Sequence, residues 1–128
     1  MPDSSDFSGR RVLIVEDDYF IADEVADHFM RQGAIILGPV GSVDDAMSLV
    51  SATAGIDAAL LDINLHGEMA YRIADALIER GVPFVFATGY DRAVIPDRYA
   101  DVPRCPKPVA YRDVAKALHV ADAGAHRA

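Results

Sequence analysis

The feature that most limits the fold of this chain is a regular alternation of short apolar runs with longer amphipathic segments. The run at 11–16, "RVLIVE", is β-branched and almost continuously apolar, as is typical of a strand buried on both faces of a parallel sheet. Similar runs recur, and the five predicted strands cover 11–16, 34–37, 56–62, 82–88 and 102–105. Pro103 interrupts the last run and predicts an edge strand, because proline cannot donate to a ladder.

The segments between the strands have helical spacing. Helices are predicted at 19–33, 43–52, 68–81 and 109–123, and Ser42 is placed to cap the second of them. The buried face of the third should hold Ala70, Ile73, Leu77 and Ile78. The segment 91–102 should be the fourth helix of the series, but Pro96 would break its interior, so we predict an irregular fourth helix. Five such units with right-handed crossovers predict an α/β fold, a flavodoxin-like doubly wound parallel sheet with strand order 2-1-3-4-5.

Composition excludes several classes of protein. A length of 128 residues with 52% hydrophobic content fits one domain, expected at 10–122 between a disordered segment at 1–9 and a tail at 123–128. No leader or membrane-spanning run is seen, so we expect a soluble, cytoplasmic protein. A net charge of −8 argues against nucleic-acid binding. Cys105 is the single cysteine and permits no internal disulfide.

Residues with chemical potential gather at the predicted carboxyl ends of the strands, which meet at one edge of a parallel sheet. They are Glu16 and Asp17 after the first strand, Asp62 after the third, Thr88 after the fourth and Lys107 after the fifth. Neighbouring carboxylates repel one another unless a cation lies among them, and Mg²⁺ prefers such oxygen ligands. Asp62 could then act as a nucleophile in phosphoryl transfer, with Thr88 and Lys107 holding phosphoryl oxygens.

Each of these residues also has a simpler interpretation when taken alone. The acids after the first strand could favour the dipole of the next helix, and for Asp18 we prefer that interpretation. Asp62 and Thr88 could be turn residues, and Lys107 a solvated charge. The histidines have no metal-ligand spacing, and Tyr71 is most simply a packing residue. The coincidence of four strand ends favours the functional interpretation.

Four motifs in this order, "VLIVEDD", "ALLDINL", "FATGYD" and "CPKP", resemble the receiver domain of two-component response regulators over about residues 10–122. "FATGY" further resembles the subgroup named after its Phe-Ala-Thr-Gly motif. Members of that subgroup are often stand-alone receivers served by histidine kinases of the HWE type.

The resemblance implies roles for individual residues. It makes Asp17 a direct Mg²⁺ ligand, Glu16 an acid that reaches the metal through water, and Asn64 a ligand through its backbone carbonyl. It makes Asp62 the phosphorylated residue and a further metal ligand. Thr88 matches the switch hydroxyl, and Lys107 matches the family's lysine, followed by a cis peptide bond to Pro108.

One departure from the family pattern concerns the aromatic residue that receivers commonly carry two positions before the lysine. Cys105 stands there in this chain, and Tyr90 is a candidate for part of the missing role.

The expected function is therefore a single receiver domain that accepts a phosphoryl group on Asp62 from a sensor histidine kinase and signals to an unidentified downstream protein. It would catalyse only its own phosphorylation and dephosphorylation, as a monomer or weak homodimer. A phosphate sink or carrier and a receiver-like module that only binds are alternatives. A Mg²⁺-dependent phosphohydrolase of the haloacid-dehalogenase type is a further one, although it needs an aspartate where Asn64 stands.

Overall fold

The computed structural model describes residues 7–89 and 95–127, and side chains of the last helix are described up to His119 and at Ala121. Five parallel strands form the main sheet: β1 (Arg11–Val15), β2 (Ile35–Val40), β3 (Ala58–Asp62), β6 (Phe84–Thr88) and β7 (Arg104–Pro106). Two short strands, β4 (Asn64–Leu65) and β5 (Glu68–Met69), form an antiparallel hairpin after β3. The order β2-β1-β3-β6-β7 confirms the predicted flavodoxin-like topology, with the hairpin as an addition to it.

Four α-helices flank the sheet in the described residues: α1 (Tyr19–Arg31), α2 (Val43–Ala52), α3 (Tyr71–Glu79) and α4 (Tyr111–Arg127). The hydroxyl oxygen of Ser42 accepts a hydrogen bond from Asp45 N at 3.1 Å, so the predicted cap of α2 is confirmed. Residues 91–94 of the predicted fourth helix lie outside the described residues. In 95–102 the chain forms only a 3₁₀ turn at Asp97–Tyr99, preceded by Pro96 with a ψ of 144°, in agreement with the predicted irregularity. No helix within 7–89 and 95–127 combines the length and apolarity that crossing a membrane requires.

The strands divide their side chains between two apolar layers. Leu13 and Val15 of β1 point to the layer under α2 and α3, whereas Val12 and Ile14 point to the layer under α1 and α4. All four side chains are fully buried. This burial on both faces explains why the strand sequence is continuously apolar.

Two predicted boundaries need correction. β2 does not stop at Leu37: the ladder is irregular between Leu13 and Val15 and then resumes, pairing Val15 with Val40 across "GPV". α3 begins at Tyr71, because the preceding Glu68 and Met69 are taken up by the hairpin.

The predicted buried face of α3 is partly wrong. Ile78 is 47% exposed, and the buried residues of the helix are Ile73, Ala74 and Leu77. These three residues lie on the face of α3 that packs into the core. Ala70 is buried as predicted, immediately before the helix.

The ends of the domain also differ from prediction. Phe7 is buried in an edge-to-face contact with Phe29 of α1 at 5.0 Å, and Gly9 N donates to the carbonyl of Gly33 at 2.8 Å. Residues 7–9 therefore belong to the folded domain, because they cover apolar surface of α1, while residues 1–6 of the predicted disordered segment lie outside the described residues. At the other end α4 continues to Arg127, past the predicted start of the tail at 123.

Candidate functional site

Three acids lie together at the carboxyl ends of two neighbouring strands. Glu16 and Asp17 follow β1, and Asp62 ends β3, which pairs with β1 through Val15 and Leu61. One carboxylate oxygen from each of the three acids lies within 4.8 Å of the others. The adjacency of β1 and β3 in the sheet is what brings together acids that are 46 and 45 positions apart in the chain.

Lys107 reaches this cluster from the strand at the far edge of the sheet. Its Nζ lies 2.7 Å from Asp62 Oδ2 and 3.7 Å from Glu16 Oε2. Lys107 N donates to the carbonyl of Thr88 at 2.8 Å, and the following peptide bond to Pro108 is cis, as the family resemblance implied. The lysine that follows β7 thus crosses the end of β6 to pair with the end of β3.

Glu16 is the most constrained acid of the cluster. Its side chain is fully buried, Oε2 accepts a hydrogen bond from Asp18 N at 3.0 Å, and Oε1 has no hydrogen-bond partner. Burial, with further contributions from the neighbouring Asp62, raises the pKa of Glu16 to about 8. Glu16 in this state resists ionisation, because Lys107 offsets only part of that penalty.

Asp17 and Lys107 respond differently to the same surroundings. Burial alone would raise the pKa of Asp17, but the neighbouring Glu16 and a hydrogen bond from the backbone N–H of His66 outweigh it, so the net pKa is lowered. Burial alone would lower the pKa of Lys107, but the hydrogen bond to Asp62 and the surrounding acids raise it overall. At neutral pH the lysine is therefore a charged partner for the acids.

Three further residues lie at the ends of the strands around this cluster. Asp18 caps α1, because its Oδ1 accepts from Phe20 N at 3.0 Å, as we preferred from the sequence. Asn64 N donates to Asp62 Oδ1 at 3.1 Å, and the Asn64 side chain accepts from Gly67 N in the hairpin. Thr88 is half-buried at the end of β6, one residue beyond the Ala87 that pairs with Asp62.

A cleft of about 360 Å³ opens above the acids, and it contains residues that the sequence did not single out for the site. His66 donates its backbone N–H to Asp17 Oδ2 at 2.9 Å, and its Nδ1 lies 3.5 Å from the same oxygen. Tyr71 and Ile95 line the cleft, as do Asp62 and Lys107, whereas Thr88 is not among the lining residues. The hairpin that brings His66 to Asp17 has no counterpart in the predicted elements.

The acid cluster fits a hard divalent cation. Three carboxylates face one ammonium group, and Glu16 Oε1 is a buried oxygen without a hydrogen-bond donor. One carboxylate oxygen from each acid lies within 4.8 Å of the other two. Carboxylate oxygens are the ligands that Mg²⁺ prefers in proteins. The side chain of Asn64 is occupied by its hydrogen bond with Gly67 in the hairpin. This agrees with the expectation that Asn64 offers the metal its backbone carbonyl and not its side chain.

Solved structures similar to this chain show the family to which it belongs. SdrG from Sphingomonas melonis Fr1 is 40% identical, over 88% of this chain and 95% of that one, with a TM-score of 0.76. The response regulator REC domain of PhyR from Erythrobacter litoralis is 26% identical, over 89% and 90% of the two chains, with a TM-score of 0.75. This chain is a response regulator receiver domain. No model of a protein family and no curated protein matched the sequence.

A further similar structure shows SdrG in its BeF3-activated conformation, 38% identical to this receiver domain with a TM-score of 0.72, over 90% of this chain and 98% of that one.

In this receiver domain Cys105 is buried in the layer under α1 and α4, with Sγ 3.7 Å from the carbonyl oxygen of Asp113. Burial raises the pKa of this thiol to about 11, which makes it a packing residue. Tyr90, the candidate for the missing aromatic role, lies outside the described residues.

Proposed function

We propose that this receiver domain accepts a phosphoryl group on Asp62 from a histidine kinase in a Mg²⁺-dependent reaction, and that it then signals through contacts with a downstream protein. The observation that carries the proposal is the contact of Lys107 Nζ with Asp62 at 2.7 Å inside a cluster of three acids. The "FATGY" motif at 86–90 supports assignment to the subgroup often served by HWE-type kinases.

Asp62 is the nucleophile in this proposal. A carboxylate oxygen attacks the phosphorus of the kinase phosphohistidine, the new O–P bond forms as the N–P bond breaks, and the released imidazole nitrogen keeps the electron pair and takes a proton from solvent. The product is an acyl phosphate on Asp62. Its dephosphorylation by water returns the carboxylate, so the chain is a signalling protein whose only chemistry is on itself.

Lys107 and Thr88 act on the oxygens of the phosphoryl group. The ammonium of Lys107 already lies at Asp62, so little movement brings it to an oxygen of a group attached there. The hydroxyl of Thr88, at the end of the next strand, would donate to a second oxygen.

Asp17, Asp62 and the backbone carbonyl of Asn64 would hold the metal directly, and Glu16 would reach it through water. When bound, Mg²⁺ supplies positive charge that offsets the negative charge on the oxygens of the transferred group. Asp17 is suited to this role because its pKa is lowered, so it is ionised at neutral pH. Glu16 is suited to an outer position because its charge is disfavoured by burial.

The test uses acetyl phosphate as a small phosphodonor, with Mg²⁺ present, and intact mass as the measurement. The wild type should gain one phosphoryl group that hydroxylamine removes, as expected of an acyl phosphate, and EDTA should prevent the gain. Asp62→Asn should show none of it with the fold intact by circular dichroism. Asp45→Asn, at an exposed position in the first turn of α2, is the matched control and should be labelled like the wild type.

Labelling of Asp62→Asn at the wild-type level would overturn the assignment of the nucleophile. Labelling that persists in EDTA would overturn the role of the metal.

A further inference from the structure

The hairpin after β3 contacts two of the three acids through its backbone. Asn64 N donates to Asp62 Oδ1 at 3.1 Å, and His66 N donates to Asp17 Oδ2 at 2.9 Å. Asp62 ends β3 and Asp17 follows β1, so carboxylates from two different strands accept hydrogen bonds from one short segment. Apart from the backbone carbonyl of Asn64, the proposed chemistry uses no part of this hairpin.

The tip of the hairpin is a two-residue turn with an uncommon backbone conformation. β4 and β5 pair Leu65 with Glu68, so only His66 and Gly67 lie in the loop, with φ of 52° and 92°. Positive φ at both central residues is the pattern of a type I′ turn, which suits the twist of a two-residue hairpin. Glycine adopts this conformation freely, and histidine is among the few other residues enriched in it. The turn leaves the N–H of His66 outside the ladder of the hairpin, where it donates to Asp17.

Three contacts hold the hairpin in place. Within the turn, Gly67 N donates to Asn64 Oδ1 at 2.7 Å. At the base of the hairpin, Ala70 N donates to the carbonyl of Ile63 at 3.0 Å. Between them, Leu65 is buried in the layer under α2 and α3. The N–H at the tip is therefore fixed by the turn and by the core, and its position does not depend on a side-chain rotamer.

We propose that the β4–β5 hairpin sets the Mg²⁺ affinity of the site, with the backbone N–H of His66 as the group that positions the carboxylate of Asp17. This inference rests on the proposed function. The carboxylate of an aspartate rotates about two bonds, and a fixed donor to one of its oxygens also fixes the direction of the other. A metal ligand that is oriented in advance binds more tightly, because less conformational freedom is lost on binding.

The imidazole of His66 is not the positioning group in this proposal. The His66 side chain is 78% exposed, and its Nδ1 lies 3.5 Å from Asp17 Oδ2, at the outer limit of a hydrogen bond. The backbone N–H of the same residue lies 2.9 Å from that oxygen. A substitution that removes the ring and keeps the turn therefore separates the two contributions.

The experiment measures the Mg²⁺ affinity by isothermal titration calorimetry, and the stability in EDTA by urea unfolding, in the wild type, Gly67→Val and Gly81→Val. Both glycines have positive φ, 92° and 70°, and a Cβ at either position meets nothing within 4 Å, so valine acts mainly by straining the backbone. Gly81 lies before β6, at the opposite edge of the sheet from the acids, and is the matched control. Both variants should lose stability to a similar degree, whereas only Gly67→Val should weaken Mg²⁺ binding, by about 10-fold.

Two further variants test the individual contacts. Asn64→Ala removes the acceptor of Gly67 N and keeps the backbone of the turn, so it should also weaken Mg²⁺ binding. His66→Asn removes the imidazole and keeps the N–H, and asparagine tolerates positive φ, so the affinity should stay at the wild-type value. Amide hydrogen exchange in EDTA gives a readout without metal: the His66 amide should exchange more slowly in the wild type than in Gly67→Val.

Wild-type Mg²⁺ affinity in a folded Gly67→Val, or in Asn64→Ala if the glycine variant does not fold, would overturn the proposal. Equal losses of affinity in Gly67→Val and Gly81→Val would also overturn it, because they would assign the effect to general destabilisation. A loss in His66→Asn as large as in Gly67→Val would assign the effect to the imidazole and would contradict the role of the backbone. A wild type that binds no Mg²⁺ would instead overturn the metal site of the proposed function, and this inference with it.

Discussion

Two polar clusters lie on either side of Tyr71, and their hydrogen bonds are satisfied to different degrees. In the acidic cluster, Glu16 and Asp62 share the contact with Lys107, and Glu16 Oε1 accepts no hydrogen bond. In the tyrosine cluster, the hydroxyl of Tyr99 has two acceptors, and the carboxylate of Asp75 meets a guanidinium group with both oxygens.

This difference indicates that the tyrosine cluster stabilises the fold, whereas the acidic cluster is suited to bind a cation. Buried polar groups in folded proteins almost always have a hydrogen-bond partner, and a buried oxygen without one lowers the stability of the fold. The acidic cluster therefore has free energy to gain from a cation, whereas the tyrosine cluster has little to gain from any ligand. Four sets of substitutions would test this contrast.

The largest effect should come from removing the single positive group of the acidic cluster. Lys107→Met leaves three acids without a counter-charge, and since the lysine side chain is only 28% exposed we expect the free energy of unfolding without metal to fall by about 3 kcal/mol. Urea unfolding in EDTA measures it. Lys116→Met, which removes the only other lysine of the chain from an exposed position on α4, should cost much less. Equal losses in the two variants would contradict the contrast.

A somewhat smaller effect is expected when the acids are removed one at a time. Asp17→Ala should weaken Mg²⁺ binding by about 100-fold, whereas Glu16→Ala should weaken it by about 10-fold, because the contact proposed for Glu16 runs through water. Isothermal titration calorimetry of the two variants gives the comparison. Equal losses would show that the two acids hold the metal in the same way.

The raised pKa of Glu16 predicts a dependence of stability on pH. Between the ordinary pKa of 4.5 and about 8 the folded chain binds more protons than the unfolded chain, so stability should fall as the pH rises. Without metal we expect a loss of about 2 kcal/mol between about pH 5 and pH 8. Glu16→Gln should remove most of this slope, and so should saturating Mg²⁺. The same slope in the wild type and the variant would assign it to other groups.

The smallest effect should come from the satisfied cluster. Tyr99→Phe removes one hydrogen bond to a half-exposed carboxylate and should cost about 1 kcal/mol of unfolding free energy. Tyr111→Phe removes a hydroxyl that has no hydrogen bond in the described structure and should cost less. A Tyr99→Phe variant as stable as the wild type would mean that water replaces the lost donor at Asp75.

The sheet and the acid cluster were predictable because they depend on local patterns and on one rule of topology. Continuous apolar runs identify strands buried on both faces, and the carboxyl ends of such strands meet at one edge, so Asp17, Asp62 and Lys107 could be placed together. The short antiparallel hairpin was not predictable, because strands of two residues have no periodicity to detect. His66 was therefore missed at the site, although its chain neighbours were found.

The tyrosine cluster was missed for another reason. The pairing of Tyr99 with Asp75 spans 24 positions and depends on how a segment without regular structure lies against α3. Ile78 was misplaced because it lies just beyond the edge of the stripe formed by Ile73, Ala74 and Leu77, and only the packing of α3 decides how wide the buried stripe is. Local patterns do not contain either piece of information.

The two edges of the sheet have a consequence for how these molecules behave when they are crowded together. β2 carries Pro39 in an irregular part of its ladder, and β7 is a three-residue strand that ends at Pro106. Proline has no N–H to offer to another strand, and short or irregular edges are poor templates for strand addition. The sheet is therefore protected at both sides from joining the sheet of a second molecule. This chain should remain free of edge-to-edge aggregation at concentrations where a flat, regular edge would recruit its neighbours.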